Sequence, residues 1–463
     1  MKNQVRSKFE TIWDEMMADL ASLIAINSVR GETSPEFPFG EAPAQALAAA
    51  LEIGQRMGFT VENVDNYAGT IDFGTGDEMI GVMAHLDIVP AGDGWTSDPF
   101  TLTLRDGRYY GRGVIDNKGP VIAALYGMRV LKELGVPLKK KIRLIVGTNE
   151  EQGSGCMQYY AEHRPIPALG FTPDGNYPLI FAEKGNFWTY LKFPPEKSPV
   201  LEMTGGNAFN AVPAECSVLL DSGLVNLNAL KRSIDPVDTL GFEPQFTEEN
   251  GNIRMKIKGR SAHGSTPEKG VNAVVSASKI LSRFFGPDQT DQMVQFIAEK
   301  IGRETDGKSL GLAAADQESG SLTLNLGKVS LTSAERFLAV DIRFPVSLSL
   351  AEMTAAYQRM ADREGLTFSI IGSAEPHHVA KDSFIVQQLL GVYREVTGDK
   401  DAEAQAIGGG TYARALGKNF VAFGPEFPDS EPMNVHDADE HIRKDLFLDH
   451  CVICTLAMAA LAG

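Results

Sequence analysis

Apolar positions along the 463-residue chain change period several times, and each change marks an element. Over residues 6–29, Phe9, Ile12, Trp13, Met16, Met17, Leu20 and Leu23 recur on one side of a helix. A loop rich in Gly, Pro and Glu follows over 30–40. Residues 43–57 then read as a second helix, with Pro43 in its first turn, where a missing N–H costs nothing. Solid apolar runs at 79–85 (MIGVMAH) and 142–148 (IRLIVGT) predict buried strands, and 119–134 between them predicts a helix. Strand, helix, strand in that order makes an α/β unit with a parallel sheet. Ligands of such sheets bind beyond the carboxyl ends of the strands. His85, Glu150 and Glu151 fall at those ends.

Near Glu183 the pattern changes. From 186 to 379 the chain alternates with period two in FWTYLKF, CSVLLD, IRMKIKG, SLTLNLG and FLAVDIRF, mixed with a helical stretch at 273–285. This predicts an α+β domain inserted into the first. After Asp382 a helix at 383–397, the loop Gly408-Gly409-Gly410 and a helix after Lys444 return to α/β style. The expected organisation is one α/β domain from 1–185 and 380–463, interrupted by a domain at 186–379. Segments 207–220 and 325–343 both read as Asn, turn, apolar strand; a doubled unit and chance similarity explain that echo equally well.

Charge removes two classes of partner. With 43 Lys and Arg against 60 Asp and Glu, the net charge is −17, so neither nucleic acid nor an anionic membrane is expected. Four cysteines are too few for a disulfide framework. Cys451 and Cys454 form a C-x-x-C, but the surrounding HCVICTLAMAALAG reads as one face of a packed helix. No apolar leader and no run of about 18 apolar residues is visible, so a cytoplasmic protein without membrane spans is expected.

Five segments hold residues able to bind metal, and each has a plainer reading. His85 and Asp87 lie two apart at a strand end. Asp116 precedes a helix, where Asp commonly serves as N-cap, although its two oxygens could also bridge two cations. Glu150 and Glu151 adjoin, as a solvated loop pair or as carboxylates whose repulsion is offset by cations. Asp174 lies in P-D-G, a good turn signature. His436 shares EPMNVHDADEHI with Asp437, Asp439, Glu440 and His441, and spacing does not say which of them ligates. Together they supply the nitrogen and oxygen donors of a two-metal hydrolase.

In order, HLD, VIDNKGP, NEEQGSG, PDG and NVHDADE resemble the M20 metallopeptidase family over about 79 to 463. GRSAHGSTPEKGVNA (259–273), NAFNAVP and GGGTYAR (408–414) resemble its dipeptidase V branch, relatives of carnosine-type dipeptidases. The resemblance implies a zinc-peptidase-like catalytic domain with a central mixed, mainly parallel sheet, and a lid enlarged enough for two α+β halves. It implies that Asp116 bridges two divalent ions, zinc foremost, with manganese or cobalt as alternatives. His85 and Asp174 would complete one site, Glu151 and His436 the other. Asp87 would orient His85, and Glu150 would act as general base on a water between the metals. A cis peptide would follow Asp116.

The same resemblance gives His263 the role of oxyanion donor. Arg343 would grip the substrate carboxylate in a bidentate manner, helped by Asn210 and the backbone of Gly410 and Thr411. The enlarged lid would stand in for a dimer partner, so a monomer that supplies His263 in cis is expected, closing over small peptide substrates. The implied reaction is hydrolysis of unblocked dipeptides. Removal of an acyl group from an amino acid, or of a C-terminal residue from a longer chain, would use the same metals. A non-catalytic binding protein is disfavoured by the intact Glu150.

Overall fold

The computed structural model describes residues 1–428 and 430–463. They form two compact units: 1–181, 378–405 and 410–463 make the first, and 182–377 with 406–409 the second. The short stretch 406–409 joins the second unit, whereas sequence patterning leaves it in the first. Its backbone explains this, because Lys184 N–H donates to the Ile407 carbonyl and Arg343 Nη1 to the Gly408 carbonyl.

In the first unit a mixed sheet runs in the order Thr60–Val64, Ala68–Phe73, Lys141–Gly147, Met79–His85, Leu169–Thr172 and Phe420–Ala422. The last four strands are parallel to one another and the first two antiparallel. Its central strands are apolar throughout because both faces are covered. Met83 and Ile145 join Cys156, Met157 and Tyr160 of the helix Gly155–His163 in one buried cluster. The helices Lys118–Glu133 and Lys444–Ala462 pack on the same two strands. The predicted strands and helices therefore stand within two residues of their expected ends here, except that the first helix spans Lys2–Ile24.

The helix Lys444–Ala462 has a mean hydropathy of 1.7 over 18 residues, long and apolar enough to cross a membrane by composition alone. Its apolar surface is consumed by packing: Phe447, Cys451, Val452, Cys454 and Met458 are buried, against the helices Lys2–Ile24, Lys118–Glu133 and Phe384–Thr397. Cys451 and Cys454 are both free.

The second unit is an eight-stranded antiparallel sheet in the order Gln245–Glu249, Asn252–Lys258, Glu215–Leu220, Val200–Gly205, Thr323–Leu331, Arg336–Phe344, Gly185–Lys192 and Thr367–Ala374. Alternation along each strand sends one set of side chains into a single core. Phe187, Met203, Val218, Met255, Leu338 and Ile342 meet Ile280 and Leu281 of the helix Ala273–Phe285, and Met353 and Tyr357 of the helix Leu350–Glu364. The latter helix is absent from the expectations above, yet its local signals are strong. Ser349 and Glu352 form a capping box and Gly365 closes it in the left-handed region.

Candidate active site

His85 ends its strand fully buried, where the parallel sheet opens toward the connecting loops. Its Nδ1 lies 3.0 Å from the carbonyl of Asp87 and 3.5 Å from that residue's carboxylate. The carbonyl is thus the nearer partner of the ring, which departs from the expected carboxylate contact. The Asp87 carboxylate is occupied elsewhere: it accepts the backbone N–H groups of Glu150 at 2.9 Å and of Glu151 at 3.1 Å. Two neighbouring glutamates are thereby tied by their backbone to the strand end that carries His85.

On its other side the His85 ring points Nε2 at Asp116 Oδ1, 3.0 Å away, and Asp174 Oδ2 at 3.9 Å. The second oxygen of Asp116 lies 2.9 Å from His436 Nε2, which is 3.3 Å from Glu151 Oε2. One carboxylate therefore stands between two imidazoles, each with a further carboxylate. His85, Asp116 and Asp174 form one group able to hold a metal ion, and Asp116, Glu151 and His436 another, with donor atoms within 4.8 Å of one another in each. Asp116 is not a helix cap. The helix begins at Lys118 behind Asn117, which makes no capping bond, and the Asp116–Asn117 peptide is cis.

The donor chemistry fits a divalent cation. Among the described residues, His85 Nε2 and Glu151 Oε1 are buried polar atoms with no aligned hydrogen-bond partner, although buried polar groups are normally satisfied. Two imidazoles and three carboxylates are the mixed donors that zinc, cobalt and manganese accept.

Two residues to which the sequence reading gave no structural role hold these segments together. Asn117 donates to the carbonyl of Pro173 (2.7 Å) and accepts the N–H of His85 (3.3 Å), so it joins three ligand-bearing segments. Glu440 is fully buried and accepts the backbone N–H groups of Gly113, Ile115 and Asp116 at 3.0 to 3.3 Å and the buried Arg112 guanidinium at 2.6 Å. It fastens the Asp116 loop to the His436 loop. This resolves the ambiguous acidic cluster. His436 faces Asp116, Asp439 accepts from Thr96, and His441 packs on Tyr110. Residues 434, 436 and 439 all adopt left-handed backbone, conformations that non-glycine residues hold only where surroundings enforce them.

Left to protons alone, the cluster titrates far from ordinary values. Burial and the nearby Asp116 push Asp174 up to about 7. Hydrogen bonds with Asp116 and Glu151 raise His436 to about 10. Burial, then Asp174, pushes Glu150 well above the carboxylate range. Burial opposes ionisation of Asp116, but hydrogen bonds from His436 and His85 outweigh it and hold its pKa low. Asp174 and His436 have ordinary values of 3.8 and 6.5, so between those values and the raised ones the folded chain binds more protons than the unfolded chain. Their stabilising contribution is complete at low pH and is lost as pH rises through about 7 and then about 10. Metal competes for the same lone pairs. Chelator-treated protein is therefore expected to lose thermal stability from about pH 5.5 to about pH 8, and added zinc or manganese to raise Tm more at the higher pH. Thermal denaturation with and without metal at both pH values measures this; an equal gain at both would contradict it.

The remaining expected residues divide between the units. Gly410 and Thr411 belong to the first, where Thr411 caps a short 3₁₀ turn and the next residue, Tyr412, sets its ring 6.0 Å from that of His85. Asn210, His263 and Arg343 belong to the second. His263 Nδ1 accepts the Ser265 N–H at 3.2 Å, which in the neutral ring assigns the proton to Nε2. Burial and the nearby Arg343 lower its pKa, favouring that neutral form. Arg343 departs from expectation. Nε and Nη2 each donate to Asp341, at 2.7 and 3.0 Å, and Nη1 donates to Asn186 Oδ1 and the Gly408 carbonyl. Four of its five N–H groups are committed, so a bidentate grip on substrate by Arg343 alone is not available in this arrangement.

Comparison with known proteins agrees with the geometry. Residues 81–462 match the model for "Peptidase family M20/M25/M40". The chain is 36% identical over 458 residues to "Putative dipeptidase YtjP" of Bacillus subtilis strain 168, covering 97% of each. It is 34% identical to "Putative dipeptidase SSP1012" of Staphylococcus saprophyticus, covering 96% of each. Human carnosine dipeptidase 1 shares the fold, with a TM-score of 0.59 at 17% identity over 100% of this chain and 98% of that one. Aminoacylhistidine dipeptidase of Vibrio alginolyticus does so with a TM-score of 0.53 at 15% identity, over 95% and 96%. The chain belongs to peptidase family M20/M25/M40 and is a metal-dependent peptide hydrolase.

Proposed function

We propose that this enzyme is a two-metal dipeptidase acting on unblocked dipeptides. The observation that carries the reading is the Asp116 carboxylate set between His85 and His436, with Asp174 beside one and Glu151 beside the other. These five residues would hold two divalent ions, zinc foremost, which when bound lower the pKa of water toward neutrality and polarise the scissile carbonyl.

The protein's own groups do the rest. Glu150 lies beside Glu151 but outside both donor groups, which leaves its carboxylate free to accept a proton. It takes one from the attacking water and returns it to the leaving amine. Asp87 fixes the Glu150–Glu151 backbone, and so positions base and ligand together. His263, with its proton on Nε2, donates to the oxyanion that develops on the carbonyl oxygen. Arg343, Asn210 and the Gly410–Thr411 backbone receive the substrate carboxylate. On this reading the first unit is catalytic and the second a lid whose size replaces a dimer partner, so the enzyme works as a monomer.

Restriction to dipeptides draws support from the full-length likeness to relatives named as dipeptidases. The test is to strip the protein of metal, restore zinc or manganese separately, and assay dipeptides, tripeptides and N-acetyl amino acids side by side. Cleavage of dipeptides only, restored by metal, is expected. Turnover of acylated amino acids or longer peptides without dipeptides would replace the reading with another reaction of the family.

A further inference from the structure

Asp341 lies on an interior strand of the second unit's sheet, Arg336–Phe344, and is fully buried. A buried carboxylate is costly unless it is paired and hydrogen-bonded, and this one is. Both its oxygens face the Arg343 guanidinium two residues on, at 2.7 and 3.0 Å, in a parallel fork. Trp188, directly opposite on the adjacent strand Gly185–Lys192, donates its indole N–H to Oδ1 at 2.8 Å. The guanidinium in turn lies 5.6 Å from the Trp188 ring centroid. A charged head that would otherwise explore many rotamers is held in one pose from two strands.

The same carboxylate touches the segment carrying His263. A Cβ on Gly264 would come within 2.7 Å of Asp341 Oδ2 and 3.0 Å of the Asn210 backbone. Only glycine permits so close an approach. There the Gly264 N–H donates to the Asn210 carbonyl at 2.6 Å, and Ala211 pairs with His263 in an antiparallel bridge. One buried carboxylate therefore braces Arg343 directly and abuts the crossing of the Asn210 and His263 segments.

We propose that Asp341 is a positioning residue for recognition of the substrate's C-terminal carboxylate. It fixes Arg343 so that the one uncommitted N–H on Nη2 presents a single, aimed donor and a positive charge. The inference rests on the dipeptidase reading and goes beyond it, because it makes preference for a free C-terminus depend on a residue that never meets the substrate. Asp341→Asn keeps the shape but turns an amide NH2 toward a guanidinium N–H, so the fork cannot persist.

The experiment compares free dipeptides with the same dipeptides amidated at the C-terminus, in the metal-loaded enzyme. For Asp341→Asn the KM for free dipeptides is expected to rise about 10- to 100-fold, about 1.4–2.8 kcal/mol. kcat should change by less than about threefold, and KM for the amides should barely move, so the acid-over-amide preference collapses. Trp188→Phe removes one bond to the carboxylate without burying a mismatched amide, and should shift the preference the same way by about threefold. It carries the test if Asp341→Asn fails to fold by circular dichroism. A wild-type preference that the folded variants leave intact, or a KM that rises equally for acids and amides, overturns the role of Asp341 alone. A wild-type enzyme indifferent to C-terminal charge overturns the carboxylate reading of the site, and this proposal with it.

Discussion

Glu150→Ala is expected to lower kcat on a dipeptide by about 10²–10⁴-fold, the usual loss when a general acid–base is removed, while the protein keeps its full complement of metal. The two halves of that expectation have separate structural causes. Metal retention follows because Glu150 is in neither donor group, and because the hydrogen bonds that shape its loop run from its backbone N–H, not its side chain, to Asp87. The rate loss follows from where the carboxylate sits. Burial, followed by the field of Asp174, raises its proton affinity well above that of an exposed glutamate, which suits a group that must accept a proton and then release it. Metal analysis alongside steady-state kinetics measures both. Turnover within tenfold of wild type, at full metal occupancy, would remove Glu150 from the mechanism.

Asp116→Asn should do the reverse and abolish metal binding at both positions together. Asp116 is shared by the two groups, with one oxygen 3.0 Å from His85 and the other 2.9 Å from His436. An amide offers one oxygen and no negative charge. Residues that merely orient metal ligands cost about 10–100-fold in affinity when changed, so loss of the shared ligand should exceed about 100-fold at each position. Asp174→Asn is the internal control, since Asp174 faces only the His85 side. Titration with zinc or manganese, followed by calorimetry, reads the stoichiometry. Loss of one ion with the second unaffected in Asp116→Asn would disprove the shared role.

Much of this molecule was legible in the sequence, for a local reason. The strands Met79–His85 and Lys141–Gly147 are buried on both faces, so they read as solid apolar runs. In the second unit, strands such as Gly185–Lys192, Glu215–Leu220 and Asn252–Lys258 bury one face, so they alternate. The helix Leu350–Glu364 is equally legible through its capping box and terminal glycine. The strand Thr60–Val64 is not, because only Val64 is buried and the strand carries Glu62 and Asn63 in place of an apolar run.

The sequence by itself determined which residue types were present for metal chemistry, in what order, and at which strand ends; backbone propensity and burial act over a few neighbours and leave a readable pattern. Only the tertiary structure decided which atoms meet. It singled out His436 from a cluster of five candidates, made Glu440 the clamp on the Asp116 loop, assigned the Asp87 carboxylate to two backbone N–H groups, and committed Arg343 to Asp341. Those outcomes depend on distances between segments up to about 325 residues apart. Hydrogen-bond geometry is set to within a few tenths of an ångström, a precision that no periodicity along a chain can carry.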